Sequence, residues 1–239
     1  MTKHDAWRTL HAQLLGLAIV GTGRAGSSIA RAARAAGIDV HRAGREDVLD
    51  ACRRAEAALL CVPDASIPDV AEVVAGAATF SLHPLQTLPD GNSDLGGAAC
   101  AVAGSTAEAT GLAEALARAL GLRPFAVAEE HRAAYHAAAA IGSNFLVAVM
   151  ESANELLDRI GVEAGRELLA PLVLRTAANW AERGPAALTG PIARGDGATV
   201  ERHRAAIAHA APELLELYDV LAERTGAIAA KTAAEATAA

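Results

Sequence analysis

A chain of 239 residues suits one large domain or two small ones. Hydrophobic residues make up 52% and charged residues 21%, which excludes a disordered chain. The formal net charge of −7, with no dense Lys/Arg run, excludes a basic nucleic-acid-binding face. Aromatics are only 3%, so the core must be built from Ala, Leu and Val. Met1 to Gln13 carries Lys3, His4, Asp5 and Arg8 and reads as an extension, not a signal peptide. The apolar stretch around Ala137 is interrupted by Ser143 and Asn144, so no membrane span is expected. Cys52, Cys61 and Cys100 lack metal-ligand spacing and have apolar neighbours. They read as three buried thiols of a reducing cytoplasm, with no metal site.

In chain order, Leu15 to Val20 is a short apolar run ending in glycines, the pattern of a buried parallel strand. A helix is predicted over Arg24 to Ala36, stopped at Gly37. Strands are predicted over Ile38 to Arg42, Ala57 to Val62, Ala78 to Leu82, Ala98 to Ala103 and Arg123 to Val127. Helices are predicted over Ile67 to Ala75 and Ala107 to Leu120. This alternation predicts a doubly wound, mostly parallel sheet over residues 14–128. From 129 to 239 the strand signals stop. Glu129 to Asp158 reads as one very long helix, followed by helices over Ala164 to Glu182, Ala198 to Ala210, and Pro212 to about Ala230. The Ala/Thr-rich tail after Lys231 is expected to fray.

Gly21-Thr22-Gly23-Arg24-Ala25-Gly26 follows the first strand and opens the first helix. In that setting Gly21 allows a tight turn, Gly23 lets the backbone approach a pyrophosphate, and Gly26 lets helix and strand pack closely. Ser27 offers a further donor. The type of dinucleotide is read at the end of the second strand, where an acid would hold ribose hydroxyls. Gly44 stands there, and Asp39 sits at the wrong end. Arg45, with Arg42 as a second candidate, suits a 2′-phosphate, so NADP(H) is expected over NAD(H).

On the predicted long helix, polar exceptions stand out. At about 100° per residue, His136, Ser143, Asn144 and Glu151 share one side. Carbonyl reduction needs a group that polarises the carbonyl and supplies a proton, a role open to His136. Ser143 and Asn144 would orient substrate. His83 ends the fourth strand at the carboxyl edge of the sheet, where ligands of open α/β folds collect. Arg194 lies in a turn after Thr189-Gly190-Pro191 and could face an anionic substrate, with Asp196 capping the next helix.

The segments GTGRAGSS (21–28), SLHPLQTL (81–88), HRAAYHAAAAIGSN (131–144) and ALTGPIARGDGATVERH (187–203) together resemble the Rossmann-like, DUF2520-containing family. That family belongs to the 6-phosphogluconate-dehydrogenase-like group, with ketopantoate reductases, pyrroline-carboxylate reductases and prephenate dehydrogenases. The resemblance spans about residues 14 to 225. It implies cofactor roles for Gly21, Gly23, Gly26 and Arg45, and a substrate-facing role for His83 in the His83-Pro84 pair. It places His136 and Asn144 near a catalytic lysine and a substrate-binding asparagine of ketopantoate reductases. The lysine is absent here, and Ala140 stands where a second asparagine would. Relatives also carry an extra strand and loop before the SLHP segment, whereas here Val70 to Thr79 runs almost directly into it.

The expectation is an N-terminal Rossmann-type domain followed by an all-helical domain, dimerised through its helices. The expected activity is NADPH-dependent reduction of a small, anionic keto or imino acid. The departures keep two alternatives open: a dinucleotide-binding or sensing protein without hydride transfer, and a structural dimer whose glycine loop is a relic.

Overall fold

The computed structural model of the chain describes residues 16–44, 46–63, 66–74 and 78–238. The extension 1–13 and Arg45 lie outside the described residues. Six strands, β1 (Gly16–Val20), β2 (Asp39–Ala43), β3 (Ala57–Leu60), β4 (Ala78–Pro84), β5 (Ala99–Gly104) and β6 (Arg123–Ala126), form one sheet. Its order is β2-β1-β3-β4-β5-β6. All neighbours pair parallel except β4 and β5. The reason is the connection: the segment 85–98 forms no helix, so the chain returns beside β4 in the opposite direction. A crossover helix then brings β6 back parallel to β5. β4 pairs directly with β3, so no further strand separates them.

The strand sequences build two cores by alternation. Leu17 and Ile19 of β1 and Leu59 of β3 face one side, with Ile29, Ala30 and Ala33 of α1 (Arg24–Ala35). Leu116 and Ala113 of a later helix, Ala107–Ala119, join the same cluster. Ala18, Val20, Ala58 and Leu60 face the other side, with Val48 and Ala51 of α2 (Val48–Arg53). Val70 of α3 (Ile67–Val73) packs there too. The crossover helix Ala107–Ala119 is α4. α2 carries no clear sequence signal and was not expected. α1 ends as Gly37 dictates: its φ is 80°, and Ile38 N donates to Ala33 O at 3.1 Å.

Beyond β6 the expected single long helix is broken. A 3-10 turn (Glu129–His131) leads into α5 (Arg132–Gly142), and α6 runs over Asn144–Arg159. Ser143 between them is non-helical, with φ −129° and ψ −75°. Its amide bonds Ala140 O at 3.4 Å, three residues back. Gly142 is a poor helix former and Ser143 competes for backbone bonds, which explains the break. Three further helices follow: α7 (Gly165–Arg183), α8 (Gly197–Ala210) and α9 (Leu215–Ala238). The tail after Lys231, expected to fray, is helical in the structure. α9 continues to Ala238 because alanine favours helix, and Thr232 and Thr237 bond carbonyls four residues back.

The chain divides into two compact units, Met1–Ala139 and Ala140–Ala239. The division falls inside α5, so Tyr135 and His136 belong with the sheet. In the second unit, only Gly165, Ile207 and Ala211 are buried among the described residues. Large apolar side chains remain exposed on α6 (Phe145, Val147), α7 (Leu172, Leu174, Trp180) and α9 (Val220). The stretch Glu129–Arg159 is in fact long and apolar enough to cross a membrane by length and composition alone. Two polar residues at its centre do not lower its mean hydropathy enough to exclude it.

Candidate functional site

The glycine loop separates into glycines the fold requires and one it does not. Gly21 has φ +127°, and a Cβ there would lie 2.3 Å from the Cys61 carbonyl oxygen. Its amide donates to Ala43 O at 2.9 Å, tying the turn to the end of β2. A Cβ on Gly26 would lie 2.4 Å from Gly21 O. Both positions are therefore closed to any side chain. Gly23 is different: its φ is −68°, open to any residue, and a Cβ there would meet nothing within 4 Å. Close approach of a ligand backbone is a reason for glycine that the protein alone does not supply.

Gly23 is also the N-cap of α1, with no side-chain cap. No acidic residue lies in the first turn, and Arg34 lies in the last. The exposed amides and positive dipole end at Thr22, Gly23, Arg24 and Ala25 thus face no carboxylate of their own turn. Arg42 adds a cation. Its guanidinium donates to Thr22 O at 3.3 Å and to Ser27 Oγ at 3.0 Å. Ser27, expected to add a donor, spends its hydroxyl within the loop: its Oγ donates to Thr22 O at 3.4 Å and accepts from Arg42. Gly91, in the β4–β5 connection, presses on Ser27, where a Cβ would come within 2.7 Å.

Beside the loop lies a hollow of about 540 Å³. It is lined by Gly21 and Thr22, by Gly44 at the end of β2, by Val62 and Pro63 after β3, and by Ser66, Asp69 and Val70. That volume suits a nucleoside-sized ligand. Gly44 is open on its Cβ side, in keeping with the missing acid. Asp69 adds a carboxylate to the lining, which the sequence reading did not single out.

Two strand spacings from β1, about 10 Å, β4 carries His83 to the same carboxyl edge. His83 Nδ1 lies 2.7 Å from Tyr135 Oη. The His83 and His136 rings meet edge-on with centroids 4.6 Å apart, and Tyr135 meets His136 at 5.3 Å. Phe125 of β6 packs against Tyr135 at 5.8 Å. Burial pushes the Tyr135 hydroxyl above the usual tyrosine value, with Cys100 adding and Arg132 opposing. The two histidines predicted separately from a strand end and a helix therefore form one ring cluster. Tyr135 completes it and was missed; its signal was that it precedes His136 in a chain with only two tyrosines.

The remaining predicted residues lie in the second unit. The helical wheel that grouped His136, Ser143, Asn144 and Glu151 assumes one unbroken helix, and the helix is interrupted at Ser143. Ser143 is the non-helical N-cap of α6, and Asn144 is its exposed first residue. Glu151 pairs with Arg166 at 3.2 Å. Arg194 is exposed in the turn before α8. Asp196 caps α8 as expected, accepting from Thr199 N at 3.1 Å. The Thr199 hydrogen bonds hold its carboxyl below the usual range, with Arg202 and Arg194 adding. Of the three cysteines, Cys100 is buried while Cys52 and Cys61 are half-buried, and all are free. Among the described residues no group of three His, Cys, Asp or Glu side chains is placed to hold a metal.

A doubly wound sheet with a glycine loop at its carboxyl edge defines a Rossmann-type architecture. Residues 98–225, just over half the chain, match the family described as "Domain of unknown function (DUF2520)". The chain belongs to that family. No curated protein is significantly similar in sequence. Among solved structures, a protein from Thermotoga maritima matches with TM-score 0.72 and 21% identity, over 90% of this chain and 99% of that one. A reductive aminase from Aspergillus terreus, solved with NADPH and ethyl levulinate, matches with TM-score 0.61 and 18% identity, over 88% and 93%. The Plasmodium falciparum pyrroline carboxylate reductase with NADP bound matches with TM-score 0.56 and 11% identity, over 91% and 99%. These likenesses establish the fold.

Proposed function

We propose that the protein is an NADPH-dependent reductase of a small keto or imino acid, in the 6-phosphogluconate-dehydrogenase-like group. The observation that carries this reading is Gly23: a glycine the fold does not need, at an uncapped helix N-terminus, beside a nucleoside-sized hollow. The fit is chemical as well as steric. Thr22, Gly23, Arg24 and Ala25 would present backbone amides to a pyrophosphate, and Gly21 and Gly26 hold the loop in that shape. Arg42, with Arg45 beside it in sequence, would meet a 2′-phosphate. The solved relatives that hold NADPH or NADP support this choice.

The reduced nicotinamide, when bound, supplies a hydride to the carbonyl or imine carbon. The chain supplies the proton that the oxygen or nitrogen then needs. His136, in ring contact with His83 at the sheet edge, is assigned that proton, and His83 the substrate-facing wall. Ser143, Asn144 and Arg194 are proposed to orient the anionic substrate. A second reading, dinucleotide binding without turnover, is favoured by the direct pairing of β4 with β3, which omits a strand and loop that relatives are expected to carry.

The helical unit is proposed to dimerise with a second copy. Buried apolar side chains on Ile207 and Ala211 alone cannot offset the ordering of such a unit. Its exposed Leu172, Leu174 and Trp180 suit an interface. A cytoplasmic location fits the three free thiols.

The test is NADPH oxidation against a panel of 2-keto acids, with and without ammonia or a primary amine. Turnover is expected, and His136→Ala should cut kcat at least tenfold while leaving NADPH affinity unchanged. A His136→Ala enzyme with intact kcat would remove His136 from the reaction. NADPH binding without turnover on any substrate would favour the second reading.

A further inference from the structure

The β4–β5 connection, residues 85–98, is seated on α1 beside the glycine loop. Leu95 is buried in the core under the sheet, and Leu88 packs against the same core. Buried Ser28 donates through Oγ to Asp90 O at 3.4 Å. Arg31 spends both protons of Nη2 on the turn, donating to Asn92 O and Ser93 O at 2.9 Å each. Asp90 Oδ1 closes the turn on itself by accepting from Asn92 N at 2.8 Å.

Within that turn Gly91 meets Ser27. Its φ lies outside the left-handed region, so no backbone conformation requires a glycine; the space does. A Cβ there would lie 2.7 Å from Ser27 Cβ and 3.3 Å from Ser27 Oγ. Ser27 in turn holds Arg42. Its Oγ donates to Thr22 O at 3.4 Å and accepts from Arg42 Nη2 at 3.0 Å. The same Nη2 donates to Thr22 O at 3.3 Å. Both protons of Nη2 are thus used on the loop. Among the described residues Arg42 Nε and Nη1 make no hydrogen bond. One corner of the guanidinium is anchored, and the rest is left for an anion.

We infer that the Asp90–Ser93 turn, clamped by Arg31, is a positioning element: through the contact of Gly91 with Ser27 it holds Arg42 at the mouth of the glycine loop and so sets the preference for a 2′-phosphate. Neither Gly91 nor Arg31 lines the nucleoside-sized hollow; both act through Ser27. A methyl at position 91 is not relieved by lifting the turn, because Ser28, Arg31 and Leu95 hold it down. The displacement falls on Ser27, and with it on the acceptor that orients Arg42. The consequence for nucleotide choice rests on the NADPH reading. The coupling of residue 91 to Arg42 does not.

The test reads Arg42 directly, and nucleotide choice separately. In ¹H–¹⁵N spectra of the full-length protein without nucleotide, the Arg42 Nε–H signal is assigned by its loss in Arg42→Lys. It should shift in Ser27→Ala and in Gly91→Ala. It should also shift in Arg31→Met, which removes the clamp and adds no atom to the turn, and which decides the matter if Gly91→Ala does not fold. An Arg42 signal unmoved by the substitutions at 91 and 31 would overturn the inference. By calorimetric titration, Gly91→Ala should weaken NADPH by about fivefold or more, part of the loss expected for a charged hydrogen bond, and NADH by less than about twofold. In an Arg42→Ala background the same substitution should cost NADPH less than about twofold, because the contact that it disturbs is gone. An undiminished loss in that background, or equal losses for the two nucleotides, would make Gly91 merely structural and overturn the inference. If Arg42→Ala leaves the ratio of NADPH to NADH affinity unchanged, or neither nucleotide binds, the 2′-phosphate reading fails, while the Arg42 signal still decides whether the turn positions Arg42.

Discussion

Replacing Gly23 and Gly26 separately by alanine divides the loop into its structural and its ligand-facing parts. At Gly26 the added methyl would sit 2.4 Å from a backbone oxygen, where ordinary contact begins at 3.4 Å. Neither the Gly21 turn, held against Cys61, nor Gly26, buried in the first turn of α1, can retreat easily. Overpacking of this kind costs about 1–3 kcal/mol. At about 2–4 °C per kcal/mol for a chain this long, Gly26→Ala should lower Tm measurably without ligand. At Gly23 the methyl meets nothing and φ is ordinary. A small loss of N-cap preference is offset by a stiffer unfolded chain, so stability should change by less than about 1 kcal/mol. Ligand response should reverse the order of damage. Wild-type protein at 100 times its NADPH Kd gains about 2.7 kcal/mol. A tenfold loss of affinity in Gly23→Ala leaves about 1.4 kcal/mol at the same NADPH concentration, halving the shift in Tm. Differential scanning fluorimetry with and without NADPH reads both effects. A Gly23→Ala protein with the full wild-type shift would refute the claim that Gly23 is glycine for a ligand's sake.

Arg42→Ala should weaken NADPH by about 10–100-fold, the range for a lost charged hydrogen bond, and NADH by much less; equal losses measured by fluorescence titration would take Arg42 away from the 2′-phosphate. Burial pushes the Cys61 and Cys100 thiols up to about 12. Only about one in ten thousand is thiolate at pH 8, so native protein should resist iodoacetamide at both sites by mass spectrometry and react once unfolded. Because the folded thiols hold their protons above the ordinary thiol value of 9.0, they add stability in full below about pH 9 and lose it as pH rises toward 12; a Tm that is flat across that window would contradict their burial. Sedimentation equilibrium should give twice 24.3 kDa, and Leu172→Glu with Trp180→Glu, now 62% and 68% exposed, should yield a monomer. A wild-type monomer would leave the helical faces without their proposed cover.

The sheet was legible because its strands are short, fully apolar and punctuated by glycine and proline. Leu17 to Val20 and Ala57 to Leu60 are apolar on both faces, as a strand between two helical layers must be. The glycine loop was legible for the same local reason. What the sequence could not carry was phase across a weak point. A helical wheel assumes an unbroken backbone, and Gly142-Ser143 breaks it, so the wheel that grouped Ser143, Asn144 and Glu151 with His136 lacks its premise. Pairings between distant elements were equally hidden. Nothing in HRAAYHAAA states that Tyr135 meets a histidine 52 positions earlier, or that Arg42 crosses to Ser27. The antiparallel return of β5 was implicit in a helix-free connection, yet strand direction is a property of topology that local periodicity does not record.

The most direct test of the account is calorimetric titration of the full-length protein with NADPH and, separately, NADH. The account predicts saturable binding of one NADPH per chain, at least tenfold tighter than NADH. No heat and no saturation with either nucleotide, at concentrations up to the millimolar range, would make the open face of Gly23 an accident of the fold and contradict the assignment.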